Sequence, residues 1–315
     1  MTSTLAIACG AMALIGAFGG VFEPFDFANQ FAPLWLAVGL TAAAVAVLLE
    51  TGRRRLFVLA AGMAILGLGG LRVAPELAAA FEFRAAPPAP AGALKIISFN
   101  VWKSDQDPAG TAAWILAQNA DIVVLDDAAL RGELVADALS AKYPFHVRCN
   151  AKRCSTMLLS RLAPVNSGGL AHGDPENRGG LSAAWATFVD ARGPFTVVAV
   201  HLPRPWPFGD QRVWQERLCN AVAPLNHGRM IVAGDFNATP WSFAQRRLDD
   251  CLHLQRRTLA LPTWPARLRI GVPVLSPILP IDHIYADRSW ETVSVRRGPS
   301  LGSDHYPVVI ELRAP

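Results

Sequence analysis

Lysine is almost missing from this 315-residue chain. Only Lys95, Lys103, Lys142 and Lys152 occur, so the net charge of +4 comes almost wholly from arginine. No long basic run gathers the arginines, and scattered arginine is ordinarily a solvated surface. The isoelectric point near 9.0 therefore does not by itself indicate a nucleic-acid partner. The five cysteines contain no CxxC pair, which argues against a thiolate metal site. Internal repeats are also missing. Met1 to Thr4 carries no basic residue, which disfavours a cleaved signal peptide as the reading of the apolar run that follows.

What the chain has in excess is apolar sequence, 52% of residues with a mean hydropathy of +0.27. The excess is concentrated at the amino end, in three nearly charge-free runs at 5–22, 34–49 and 56–71. Each approaches the roughly 17 to 25 residues that cross a hydrocarbon core of about 30 Å. Residues 1–84 are therefore expected to form a transmembrane region of three helices, against two helices after a cleaved signal. Arg53, Arg54 and Arg55 separate the second and third runs, whereas the loop before the second run carries Glu23 and Asp26 and no base. Because short basic loops stay cytoplasmic, everything after Arg72 is expected on the outer face of a bacterial inner membrane, facing the periplasm or the exterior.

That topology places Cys149, Cys154, Cys219 and Cys251 in an oxidising compartment and Cys9 in the first helix. Two bridges are then permitted, most simply Cys149 with Cys154 and Cys219 with Cys251. Four cysteines allow three connectivities, and buried free thiols remain the alternative.

A Pro/Ala segment, 85–93, reads as an extended linker. Beyond it, residues 94–315 show at least nine strand-like runs: Leu94–Phe99, Ile122–Leu125, Met157–Leu159, Ala183–Val189, Thr196–Val200, Met230–Ala233, Ile281–Tyr285, Thr292–Val295 and Val308–Leu312. Asp107-Pro108 and Thr239-Pro240 are expected to start helices, and Asp210 to cap another. The result is a mixed α/β domain, too strand-rich for a simple alternating nucleotide-binding fold.

Polar clusters stand at the ends of the apolar runs: Ser98-Phe99-Asn100-Val101-Trp102, Leu125-Asp126-Asp127, Val200-His201-Leu202, Gly234-Asp235-Phe236-Asn237, Ile281-Asp282-His283 and Gly302-Ser303-Asp304-His305. In order and spacing this set resembles the endonuclease/exonuclease/phosphatase superfamily over Leu94 to Leu312. The resemblance implies an α/β (α+β) four-layer sandwich of two packed mixed β-sheets flanked by helices, here preceded by an N-terminal transmembrane helical region. It also implies a metal-dependent phosphoric ester hydrolase. Asn100, Asp127 and Asp304 would hold Mg²⁺ or Mn²⁺, hard cations that prefer oxygen ligands. Asp235 and Asn237 would orient water and phosphate. His305, fixed by Asp282, would take the water proton or contact the phosphate, and His201 would stabilise charge opposite it. His146, His172, His227, His253 and His283 lie outside these motifs and are read as structural.

The superfamily usually has a Gln-Glu pair where this chain has Asp126-Asp127. Asp127 is one methylene short, Asp126 is a substitute candidate, and an inactive membrane-anchored binding protein is the non-enzymatic alternative. The substrate is left open between a phospholipid head group and nucleic acid. The loop Thr263 to Pro280, with Trp264, Arg267 and Arg269, either meets a lipid surface or folds onto the domain. Arg178, Arg204 and Trp206 are the residues a nuclease would use.

Overall fold

A computed structural model describes residues 1–82, 92–149, 154–170, 181–268 and 272–314. Most of the 85–93 linker, Arg178, His172 and Arg269 lie outside the described residues. The amino-terminal region comprises α1 (Thr2–Ala17), α2 (Glu23–Gln30), α3 (Ala32–Leu49), α4 (Gly52–Ala64) and α5 (Leu71–Glu82), with a π-helical turn at Ile65–Gly70 joining the last two. Two helices, Ala32–Leu49 and the continuous Gly52–Phe81, are long and apolar enough to cross a membrane, whereas α1 is shorter. The first run therefore stops at Ala17 rather than residue 22. The third extends well past residue 71.

These helices pack through small residues: a methyl group built on Gly39 would lie 2.5 Å from Cys9 Cβ, so only glycine permits that approach. Leucines, phenylalanines and methionines such as Leu48, Leu56, Phe57 and Met63 remain exposed around the bundle. At about 1.5 Å per residue, Gly52–Phe81 is longer than the roughly 30 Å of a bilayer core.

The strands are β1 (Leu94–Asn100), β2 (Ile122–Asp126), β3 (Phe145–Arg148), β4 (Met157–Ser160), β5 (Asn166–Gly169), β6 (Ser182–Asp190), β7 (Gly193–His201), β8 (Met230–Asp235), β9 (Gln255–Arg256), β10 (Asp282–Ala286), β11 (Glu291–Arg297) and β12 (Val308–Arg313). They form two mixed six-stranded sheets, ordered β11-β12-β1-β2-β4-β3 and β5-β6-β7-β8-β10-β9. All nine expected strands are present. The three not anticipated, β3, β5 and β9, are short edge pieces with little apolar alternation.

Helices α6 (Pro108–Gln118) and α7 (Arg131–Leu139) cover one sheet, and α8 (Asp210–Val222) and α9 (Phe243–Leu252) cover the other. Strand periodicity divides the apolar residues between layers. Ile96 in β1, Ile122 and Val124 in β2, Val197 and Ala199 in β7, and Ile231 and Ala233 in β8 meet between the sheets. Ile97 and Phe99 instead face α6 and α7, and Met230 and Val232 face α8 and α9. The four-layer sandwich follows from that division.

Asp107 caps α6 as expected, its side chain accepting from Gly110 N at 3.0 Å. Thr239-Pro240 does not start a helix. Thr239 N is taken by Gln30 Oε1 at 2.9 Å, and Ser242 caps α9 instead, accepting from Gln245 N. Asp210 is the first residue of α8, whose N-cap is Gly209. Both disulfides adopt the simplest pairing, Cys149–Cys154 and Cys219–Cys251, with Cα separations of 5.8 and 6.0 Å.

The two regions are joined by polar contacts that a passive tether would not have. Asp26 of α2 accepts from the backbone N–H groups of Phe243 and Ala244 at 2.9 and 2.8 Å, placing a carboxylate on the amino end of α9. Arg256 is buried and forks between Glu76 of α5, at 2.6 and 3.1 Å, and Asp249 of α9, at 3.2 Å. Removing Glu76 leaves Arg256 paired with Asp249 alone. Glu76→Ala is thus expected to destabilise the detergent-solubilised chain by about 1 kcal/mol, measured as a lowered midpoint of thermal unfolding. An unchanged midpoint would show the joint to be energetically idle.

Candidate active site

The residue that ends each inner row of side chains is polar. Counting by twos from the inter-sheet core, β1 reaches Asn100, β2 reaches Asp126, β7 reaches His201, β8 reaches Asp235 and β10 begins with Asp282. Register brings them to one end of the sandwich: Asn100 lies beside Asp126, and Asp235 lies between His201 and Asp282. Gly234 makes the approach of β8 possible. Its φ is +153°, and a methyl group there would sit 1.8 Å from Val200 O.

Asp235 is the centre of this arrangement, only 1% exposed. Its Oδ2 accepts from Asn100 Nδ2 at 2.9 Å and lies 3.7 Å from both His201 Nε2 and His305 Nε2. Its Oδ1 accepts from Asn237 N at 2.9 Å. Asn237 Nδ2 in turn donates to Leu202 O. His305 Nδ1 donates to Asp282 Oδ2 at 2.9 Å, which fixes the tautomer and turns Nε2 toward Asp235. The Ser303 hydroxyl donates to Asn100 O at 2.6 Å and accepts from His305 N at 3.0 Å, tying the two motifs together.

The electrostatics follow from burial and neighbours. Burial pushes the Asp235 carboxyl upward, partly opposed by His305. For His305, burial alone would favour the neutral ring, but Asp282 and Asp235 outweigh it and raise the pKa to about 10. Asp126 is fully buried, and burial reinforced by Asp235 raises its carboxyl well above the usual range, favouring the neutral acid. Its Oδ2 accepts from Asp235 N at 2.9 Å across the seam between the sheets. Asp126 is therefore a tie between β2 and β8, not a substitute for Asp127, which lines the pocket itself.

Asn100, Asp127, His201, Asp235, Asn237, Asp304 and His305 open into one pocket of about 460 Å³. Asp282 lies behind His305 rather than on the wall. Two sets of side chains are candidates for a cation site. Among the described residues, Asp235, Asp282 and His305 offer ligand atoms within 4.8 Å of one another, and those atoms also make the hydrogen bonds and ion pairs above. Asn100, Asp127 and Asp304 are a second set with oxygen donors: all are on the pocket wall, and Asp304 Oδ1 is buried with no hydrogen-bond partner.

The family model for the endonuclease/exonuclease/phosphatase family matches residues 97–305. The chain belongs to that family. Members of the endonuclease/exonuclease/phosphatase family are metal-dependent hydrolases acting on phosphoesters. No curated protein matches this chain by sequence. Among solved structures, an endonuclease/exonuclease/phosphatase from Bacteroides vulgatus is similar at 20% identity and a TM-score of 0.56, covering 71% of this chain and 99% of that one. Sphingomyelinase C from Streptomyces griseocarneus aligns at 16% identity and 0.51, over 71% and 99%. A beta toxin from Staphylococcus aureus with bound magnesium ions aligns at 13% and 0.53, over 71% and 100%. At these identities the likeness is one of fold.

Three pocket residues lay outside the sequence reading. Phe27, Gln30 and Phe31, from α2 and its carboxyl end, form part of the wall. Trp264, Arg267 and Leu268 of the Thr263 to Pro280 loop form another part. The base of that loop is folded onto the domain, with Trp264 Nε1 donating to Asp304 Oδ2 and Arg267 Nε to Leu301 O, while Leu275 is fully exposed.

His283, adjacent to Asp282, is enclosed between Thr258 Oγ1 at 3.1 Å and Ala238 O at 2.9 Å. Burial, with Arg256 nearby, lowers its pKa to about 3. On acidification from about pH 6.5 the unfolded chain binds this proton before the folded one does, so stability falls as pH drops toward 3. His283→Gln is expected to flatten that part of a stability-against-pH curve. An unchanged slope would count against the neutral, enclosed ring.

Proposed function

We propose that this protein is a membrane-anchored phosphoesterase that hydrolyses phosphodiester or phosphomonoester bonds by in-line attack of water. The observation that carries the reading is the convergence of Asn100, His201 and His305 on one buried oxygen of Asp235, in the pocket that Asp127 and Asp304 also line. Asn100, Asp127 and Asp304 would hold Mg²⁺ or Mn²⁺, which neutralises charge on the phosphate oxygens when bound.

The remaining roles follow from the chain's own groups. Asp235, whose carboxyl is made more basic by burial, accepts a proton from the attacking water, which Asn237 orients. The water oxygen bonds to phosphorus as the bond to the leaving oxygen breaks. His305, held positive by Asp282 and Asp235, binds a phosphate oxygen, and His201 supplies the proton to the leaving oxygen. Asp282 is a positioning residue that acts through His305.

Ala32–Leu49 and Gly52–Phe81 supply the anchor, with Arg53, Arg54 and Arg55 on the cytoplasmic side and the catalytic domain on the outer face. A nuclease is the second reading, favoured by Arg204 and Trp206 on the pocket wall. The non-enzymatic reading rested on Asp127, and its place in the pocket argues against it.

Full-length protein in detergent micelles, assayed on bis-p-nitrophenyl phosphate with Mg²⁺ or Mn²⁺, is expected to lose about a hundredfold or more in kcat with His305→Ala. Asp304→Asn is expected to raise the metal concentration needed for half-maximal rate. Wild-type turnover no faster than His305→Ala, with either metal and on DNA, phospholipid and sugar phosphates alike, would refute a catalytic role.

A further inference from the structure

The helix between the first two apolar runs does more than connect them. Phe31 directly precedes the membrane-spanning candidate Ala32–Leu49, so it lies at the membrane interface if that helix spans. From there an aromatic row leads to the catalytic pocket. Phe31 and Phe27 meet edge to face with ring centroids 5.7 Å apart, Phe27 meets Phe208 at 6.4 Å, and Phe208 meets Trp206 at 4.7 Å. Phe31, Phe27 and Trp206 are themselves on the pocket wall, as are Leu268, Leu279 and Ile281.

The pocket thus combines the polar groups at the strand ends with apolar side chains, and α2 leads from these directly into the membrane-spanning candidate helix. Trp206 and Leu268 of the wall are 64% and 48% exposed, and Val272 beyond it is 49% exposed. Asp26 and Gln30 lock this helix to the domain, so the wall is a fixed part of the site. A polynucleotide would need a track of several cations, whereas among the described residues Arg204 and Arg267 are the arginines on this wall, beside His201 and His305. A substrate with one phosphate and a long apolar substituent matches both surfaces.

We propose that α2 is part of the substrate site: the Phe31–Phe27–Phe208–Trp206 row seats the apolar tail of a lipid-linked phosphoester drawn from the adjacent leaflet, with its phosphate against His305. This rests on the membrane-anchored phosphoesterase reading and names its substrate class.

The test compares hexadecyl p-nitrophenyl phosphate with methyl p-nitrophenyl phosphate, which share a leaving group and differ only in the tail. Both are assayed with full-length protein in mixed micelles containing Mg²⁺ or Mn²⁺. Wild type is expected to favour the hexadecyl ester in kcat/KM. Phe27→Ala, and separately the exposed Trp206→Ala, are expected to shrink that preference on the order of tenfold, by acting more on the long-tailed ester than on the short one. If wild type hydrolyses both esters but neither variant changes the ratio, the tail-binding wall is wrong and the phosphoesterase reading stands. If neither ester is hydrolysed with either metal, both fall.

Discussion

A buried carboxylate at the seam between the sheets is the constraint around which this end of the molecule is organised. Asp235 is almost fully enclosed, and an isolated charge there would be costly. It is tolerated because Asn100 donates to it, the backbone of Asn237 donates to it, and two imidazoles stand within ion-pair range. Each partner comes from a different strand or loop. The two sheets therefore cannot slide without breaking the set, and the same contacts that make the carboxylate bearable fix the geometry of the site.

Charge balance extends one layer further back. His305 is positive because Asp282 and Asp235 flank it, despite a burial that opposes charge. Asp126, by contrast, is pushed toward its neutral form and joins the sheets through Asp235 N. Where the superfamily resemblance led to an expected glutamine, this chain uses an acid that burial neutralises, while the neighbouring Asp127 keeps the pocket-facing position. The departure from the usual pair thus affects the tie and the pocket wall differently.

The second organising feature is the joint between the amino-terminal helices and the sandwich. Asp26 on the amino end of α9, Gln30 on Thr239 N and Glu76 on Arg256 are specific, part-buried contacts between residues far apart in sequence. They hold Phe27 and Phe31 against the pocket. A reading that divides the chain at the proline-rich segment treats the first part as an anchor alone. The fold makes it a wall of the site.

Local pattern determined much of this protein. Short apolar runs placed all nine recognised strands, Asp107 its helix, and the polar residues at strand ends the candidate site, because run composition and capping are properties of neighbouring residues. Tertiary structure decided what depends on distant partners. Thr239 is held by Gln30 through its N–H while α9 starts three residues on with Ser242 as its cap, and Asp126 rather than Asp127 is enclosed because only it shares the inward parity of Asn100. The contribution of α2 to the pocket had no local signature at all. It arises from contacts between segments some two hundred residues apart, which become visible only when both surfaces have been built.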